Sequence, residues 1–167
     1  MIRLSRLADY AVMLMSQMAR EPSAVVNVQN LVEASGLSAA TVSKLLAKLA
    51  HHGLLGSIRG RKGGYRLARS PANISMEQII AAVDGPIALT VCVDQGIDSC
   101  SVSAFCTSRD YWHRINEAIK EALDQVSLAE VASSMPMFLD PAAIAPSQST
   151  SWPTVDPRSA SLEARDR

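Results

Sequence analysis

The stretch that decides the fold covers residues 27–69 and reads NVQNLVEASGLSAATVSKLLAKLAHHGLLGSIRGRKGGYRLAR. Asn27 and Ser38 each precede an apolar repeat of helical spacing, which is the N-cap position of a helix. Gly36 allows a tight turn between the two repeats, and Gly53 ends the second. The stretch therefore predicts a helix-turn-helix. The first helix carries the apolar Leu31 and Val32, and the expected buried face of the second consists of Val42, Leu45, Leu46 and Leu49.

The end of the same stretch predicts a wing. Residues 54–58 and 65–68 have the composition of short strands, and a turn rich in glycine and basic residues joins them. A slim cationic turn of this kind suits the narrow minor groove of DNA. We therefore expect a mainly α fold: a winged helix-turn-helix with a small two-stranded wing and, further along the chain, a long dimerisation helix.

The charge distribution supports a nucleic-acid interface although the chain is formally neutral, with 16 basic and 16 acidic residues. No Asp or Glu stands between Glu33 and Glu77. A cationic segment of this length is the electrostatic footprint of a surface that faces phosphates. The basic residues in this interval are Lys44, Lys48, Arg59, Arg61, Lys62, Arg66 and Arg69.

The predicted DNA contacts lie on the second helix and on the wing. Short or polar side chains at the leading end of a helix allow its backbone to approach base edges in the major groove. The same residues would also suit a solvated helix face and a solubilising hairpin tip, but neither alternative explains the missing acids. The candidates are Ser38, Ala39, Thr41, Ser43 and Lys44 on the helix, and Arg59, Arg61 and Lys62 on the wing.

The rest of the chain divides into recognisable segments. A helix is expected over residues 5–19, and another begins after the N-cap Ser75 and ends near Gly85. Residues 108–134 read as one long helix with a heptad-like apolar seam that meets a second subunit. The seam consists of Trp112, Ile115, Ile119, Ala122 and Val126.

The predicted boundaries follow from these segments. Residues 1–84 form the winged helix-turn-helix domain, and residues 85–107 form a cysteine-containing segment, here called the thiol loop. A dimerisation helix over 108–134 precedes a disordered Pro- and Ser-rich tail over 135–167. We recognise no signal peptide and no apolar stretch long enough to span a bilayer, so we expect a soluble, cytoplasmic protein without a membrane partner.

The thiol loop holds every cysteine of the chain, in the stretch CVDQGIDSCSVSAFC at residues 92–106. An odd number of thiols in a reducing compartment argues against a disulfide framework. The Cys-x-x-Cys spacing of structural zinc is absent, whereas thiolates spread along a loop suit an iron-sulfur cluster. Three ligands need a fourth, for which His113 and Asp9 are the candidates, although each also reads as an ordinary surface residue. Three unrelated cysteines remain the alternative to a cluster.

Catalysis finds little support in the sequence. No Ser, His and Asp residues stand in a spacing that suggests a catalytic triad, and the glycines of GRKGGY lack the strand-to-helix context of a phosphate-binding loop. We therefore expect a protein that is not an enzyme.

Several motifs together resemble a known family. LADYAV near the start, GLSAATVSKLLAKL in the second helix, GRKGGYRLAR in the wing and the three-cysteine loop are similar to the winged-helix iron-sulfur regulators typified by IscR, NsrR and RirA. GPIALTVC, CSVSAFC and YWHRINEAIKEAL resemble the branch that regulates SUF-system iron-sulfur cluster assembly. The resemblance covers the chain from Met1 to about Val131 and leaves out the tail.

The resemblance implies a homodimeric regulator that binds a palindromic operator in double-stranded DNA. Each subunit would carry one 2Fe-2S or 4Fe-4S cluster, with Cys92, Cys100 and Cys106 as the thiolate ligands. The IscR type has a histidine three residues after the third cysteine, where this chain has Arg109. The NsrR type uses an aspartate that matches Asp9, which is therefore the preferred fourth ligand, donated to the opposite subunit.

The same motifs are compatible with regulators that respond to other chemical signals. A nitric-oxide, iron or redox-responsive repressor would have the same motifs and different target genes. A protein-interaction module with unused cysteines is the alternative from another class.

Overall fold

A computed structural model describes residues 4–60, 63–90, 93 and 107–134. This part of the chain forms six α-helices and one antiparallel sheet of two strands, which confirms the mainly α winged-helix prediction. No helix in these ranges is long and apolar enough to cross a membrane. The elements are α1 (Arg6–Met18), α2 (Val28–Ser35), α3 (Ala39–His51), β1 (Leu55–Ile58), β2 (Gly64–Leu67), a 3-10 turn (Pro71–Asn73), α4 (Met76–Asp84), α5 (Arg109–Asp124) and α6 (Leu128–Ser134).

Side-chain caps fix the starts of α2, α3 and α4. The side-chain oxygens of Asn27, Ser38 and Ser75 each accept a hydrogen bond from the backbone N–H three residues later. At Ser75 the Gln78 side chain also accepts from the Ser75 backbone N–H, which completes a capping box. All three caps were predicted from the sequence, and α2 ends at Gly36 as expected.

The hydrophobic core lies between α1, α3 and α4. The predicted inward residues of α3 are buried, as are Ile79, Ile80 and Val83 of α4. Full burial of a leucine or isoleucine side chain contributes about 1.5–3 kcal/mol, so these positions hold the orientation of α3. The short helix α2 packs on α3 with Leu31 as its one buried residue, and Val32 is half-buried.

The segment 108–134 is two helices and not the single helix that the sequence predicted. α5 ends at Asp124, and a capping box of Ser127 and Glu130 starts α6, in which the Ser127 N–H and hydroxyl both donate to the Glu130 carboxylate at 2.8 Å. The Leu128 N–H donates to the Ile74 carbonyl at 2.8 Å, and the Leu128 side chain is buried in the same hydrophobic core. Val126 therefore lies outside α5, and α6 completes the core that residues 4–84 begin.

Candidate nucleic-acid interface and thiol loop

The packing of α3 decides which of its side chains reach solvent. Its leucine face is buried, so Ala39, Ser43 and Lys44 are exposed on the opposite side. Thr41 is half-buried, and its backbone N–H donates to Ser38 Oγ at 3.2 Å. Ser38 is exposed, but its hydroxyl is already used as the helix cap. The structure thus presents the predicted polar face of α3 to solvent, with Ser38 in a structural role as well.

The wing is attached to the start of α2. Val26 and Tyr65 exchange two backbone hydrogen bonds, of 2.8 and 2.9 Å. The backbones come so close that a Cβ on Gly64 would collide with the Val26 carbonyl, so only glycine fits there. Arg59 follows β1 directly and is exposed, whereas Arg61 and Lys62 lie outside the described residues. The wing therefore has a fixed position relative to the helix-turn-helix.

Three basic residues of α3 and the wing are not neutralised within the described part of the chain. Lys44, Arg59 and Arg66 are exposed, and their side chains form no hydrogen bond or ion pair with another described residue. By contrast, Lys120 of α5 forms an ion pair with Glu117, at 3.2 Å. Exposed guanidinium and ammonium groups without a partner in the protein are available to bind the phosphates of a nucleic-acid backbone.

Arg66 is a contact candidate that the sequence prediction did not single out. It lies on β2 between Tyr65 and the buried Leu67, and the alternation of side chains along a strand turns it outward. Arg66 belongs to the interval without Asp or Glu. The alternation of side chains along the predicted strand would have identified it as exposed.

The buried side-chain amide of Asn116 holds the first residues of the thiol loop. Asn116 of α5 is 1% exposed, its Nδ2 donates to the Ile87 carbonyl at 2.9 Å, and its Oδ1 accepts from the Leu89 N–H at 3.1 Å. The sequence prediction missed this residue. Asn116 stands four residues after Trp112 and three before Ile119, so it lies on the side of the predicted apolar seam. A polar residue at such a position was the sequence feature that could have identified it.

The predicted ligands of a metal centre are only partly within the described residues. Cys92, Cys100 and Cys106 lie outside them. Asp9 is exposed in the first turn of α1, and His113 is half-buried on α5. Among the residues that the structure describes, no three His, Cys, Asp or Glu side chains lie close enough to hold a metal ion. Asp9 therefore has the exposure that a ligand to a second subunit needs.

A cavity of about 950 Å³ lies between α3, α4 and α5. Its lining includes His113 and, from the end of α3, His51 and His52. His113 therefore borders a cavity of its own chain and is not a plain surface residue. Lys48 also lines the cavity, and its ammonium donates to the Val83 carbonyl at 2.6 Å. The sequence prediction gave Lys48 no role beyond its charge.

A capped α2–turn–α3 pair, a wing fixed beside it and exposed basic side chains on both define the class of winged helix-turn-helix DNA-binding proteins. Comparison with known proteins agrees. A family model described as the Rrf2 iron-dependent transcriptional regulators matches residues 4–134. The chain belongs to the Rrf2 family of transcriptional regulators.

Individual relatives are regulators as well. An HTH-type transcriptional regulator of Mycobacterium tuberculosis is 34% identical over 133 residues, which cover 78% of this chain and 81% of the relative. The regulator IscR of Vibrio vulnificus is 32% identical over 133 residues, covering 79% of this chain and 78% of IscR. These relatives are transcriptional regulators and not enzymes, in agreement with the sequence prediction.

Solved structures give the same fold. CymR, the global cysteine regulator of B. subtilis, superposes with a TM-score of 0.63 at 28% identity, over 81% of this chain and all of CymR (100%). IscR of T. potens has a TM-score of 0.58 at 26% identity, over 81% of this chain and 93% of that protein.

Proposed function

We propose that this regulator binds a palindromic operator as a homodimer, with α3 in the major groove and the wing against the backbone and minor groove. The observation that carries the proposal is that Lys44 of α3 and Arg59 and Arg66 of the wing are exposed and have no hydrogen-bond or ion-pair partner among the described residues. The dimer interface is assigned to α5, which exposes Tyr111, Trp112 and Ile115. Apolar side chains of this size on one helix face favour a protein partner.

Binding to duplex DNA of mixed sequence tests the interface. Arg59→Ala and Lys44→Ala should each weaken binding and lower the salt dependence by about one phosphate contact. Lys120→Ala removes the same charge from α5, where Lys120 is paired with Glu117, and should leave binding unchanged. Parent-like binding and salt dependence of both Arg59→Ala and Lys44→Ala would show that the interface is assigned to the wrong face.

The signal is proposed to be an iron-sulfur cluster held by Cys92, Cys100 and Cys106, with the exposed Asp9 of the opposite subunit as fourth ligand. The donor set fits: soft thiolates are typical cluster ligands, and a hard carboxylate is a weaker one, which favours reversible binding. A cluster supplies a redox-active group whose presence or loss changes how the thiol loop is held. Genes for SUF cluster assembly are the proposed targets, on the resemblance of the sequence to that branch.

Anaerobic purification with assays of iron, acid-labile sulfide and visible absorption tests this part. Stoichiometric iron and sulfide, lost in Cys92→Ala and reduced in Asp9→Ala, would support the ligand set. Unchanged loading of Asp9→Ala would exclude Asp9 as a ligand. Colourless protein after attempted reconstitution would exclude the cluster.

A second candidate is direct sensing by the thiols, without a cluster. The likeness to CymR, a cysteine regulator, favours it. In that case operator affinity should change between reduced and oxidised protein in the absence of iron, and the change should disappear in Cys92→Ala. A response to nitric oxide or to iron would use the same parts and is distinguished by which reagent changes operator affinity.

A further inference from the structure

The carboxyl end of α4 is the place where three parts of the molecule meet. Lys48 of α3 donates to the carbonyl of Val83 at 2.6 Å. The hydroxyl of Ser5, the N-cap of α1, donates to the Asp84 carboxylate at 2.6 Å. The thiol loop begins at the next residue, Gly85. One turn of helix therefore contacts the DNA-reading helix, the helix that carries Asp9, and the start of the thiol loop.

Residues 85–89, which follow this turn, are restrained by their backbone conformation and by contacts with α5. Gly85 has a φ of 92°, which L side chains rarely adopt, and Pro86 has a ring-restricted φ. The next residues are held by the buried Asn116 through Ile87 and Leu89. Leu89 stands three residues before Cys92. A displacement at Leu89 would therefore reach Val83 through residues that these contacts restrain.

Lys48 is suited to respond to such a displacement. Its ammonium bonds one of the last carbonyls of α4, where the partial negative charge of the helix dipole lies. The bond is partly buried, so an ammonium that loses the carbonyl does not gain full solvation in exchange. Lys48 also stands one turn after the exposed Lys44 on α3.

We propose that the carboxyl end of α4 couples the state of the thiol loop to the position of α3, with the Lys48–Val83 hydrogen bond as the connection. This inference rests on the proposed function, in which the thiol loop sets operator affinity. Lys48 is a positioning residue: it acts on DNA through α3 and α4. The Ser5–Asp84 contact ties α1, and with it Asp9, to the same turn.

A double-mutant cycle between Lys48→Met and Cys92→Ala tests the coupling. Operator affinity is measured on a duplex selected with the parent protein, reconstituted anaerobically with iron and sulfide. In the parent background, Cys92→Ala should change affinity about fivefold or more, and in the Lys48→Met background by about twofold or less. Lys48→Arg retains the donor and should restore most of the parent's response. Lys44→Met removes the same charge one turn earlier and should lower affinity while leaving the response to Cys92→Ala intact.

The outcomes separate the two proposals. If Cys92→Ala leaves the affinity of the parent unchanged, the proposed function fails and this inference fails with it. If the parent responds and Lys48→Met responds equally, the proposed function stands and the coupling through Lys48 is wrong.

Further measurements distinguish a loss of coupling from a loss of folding. Thermal melts establish that Lys48→Met is folded, and Asp84→Ala, at an exposed position of the same turn, should also reduce the response. The Gly85 amide donates to the Ala81 carbonyl at 3.0 Å, so its hydrogen exchange should accelerate in Cys92→Ala without any DNA present. An unchanged exchange rate would overturn the link between the thiols and this turn.

Discussion

α3 and α5 are both amphipathic helices, yet they use their apolar residues in opposite ways. The leucines of α3 are buried in the chain's own core, and its polar side chains are exposed. α5 exposes Trp112 and Ile115 to 40% and 45%, and its one buried residue is the polar Asn116. The difference shows that the apolar residues of α3 pack within the chain, whereas α5 has apolar side chains that the described part of the chain leaves exposed.

The largest expected effect is the loss of stability when a buried leucine of α3 is truncated. Leu46 is fully buried, so Leu46→Ala should lower the free energy of unfolding by about 3 kcal/mol, through lost transfer energy and the cavity left behind. Urea denaturation measures it. Ser43→Ala, on the exposed face of the same helix, should change stability by less than about 0.5 kcal/mol. Equal effects of the two variants would contradict the division of α3 into an inner and an outer face.

Asn116 gives the next largest effect and tests the polar contact of α5. Asn116→Ala leaves the Ile87 carbonyl and the Leu89 N–H without their partner, which should cost about 2 kcal/mol. The same variant should speed hydrogen exchange of the Leu89 amide. The exposed neighbour Glu117 offers a control, since Glu117→Gln should leave that exchange rate unchanged.

The exposed face of α5 should matter for association more than for folding. Ile115→Ala should weaken the homodimer about tenfold, which corresponds to about 1.4 kcal/mol. Sedimentation equilibrium measures the dissociation constant. Glu121→Ala, at another exposed position of α5, is the control and should leave it near the parent value. A parent-like dimer from Ile115→Ala would move the interface away from this face.

Sequence reasoning succeeded where the deciding interactions are local. The caps Asn27, Ser38 and Ser75 act on N–H groups three residues away, so their roles follow from the sequence alone. The same rule identifies Ser127 and Glu130 as a capping box, which the prediction of one long helix over 108–134 did not consider. At this position the local cap, and not the apolar spacing, marks where a new helix begins.

The contacts that hold the candidate site together could not be read from the sequence. Lys48 and Val83 are 35 residues apart, and Asn116 and Ile87 are 29 apart, so their meeting depends on how α3 and α5 pack around α4. The sequence showed only that a lysine and an asparagine stand beside apolar positions. The roles of the three cysteines also remain a prediction, since these residues lie outside the described part of the chain.

The smallest expected effect lies where the chain leaves α5 and returns to the core. Hydrogen bonds from the backbone N–H and then the hydroxyl of Ser127 lower the pKa of Glu130 below its usual value. A carboxylate with a lowered folded-state pKa stabilises the fold above its unfolded-state pKa, and this contribution disappears as the pH falls through the folded-state pKa. Glu130→Gln should therefore be slightly less stable than the parent near neutral pH, and the difference should vanish in acid.

Thermal melts over this pH range measure the Glu130 contribution, with Glu121→Gln on α5 as the charge-matched control. Because Glu130 is exposed, solvent screens its charge and the difference in melting temperature should be small. A difference that grew as the pH fell would have the wrong sign for a carboxylate held by Ser127. It would mean that the return of α6 to the core depends on Leu128 and its backbone bond to Ile74, and not on the capping box.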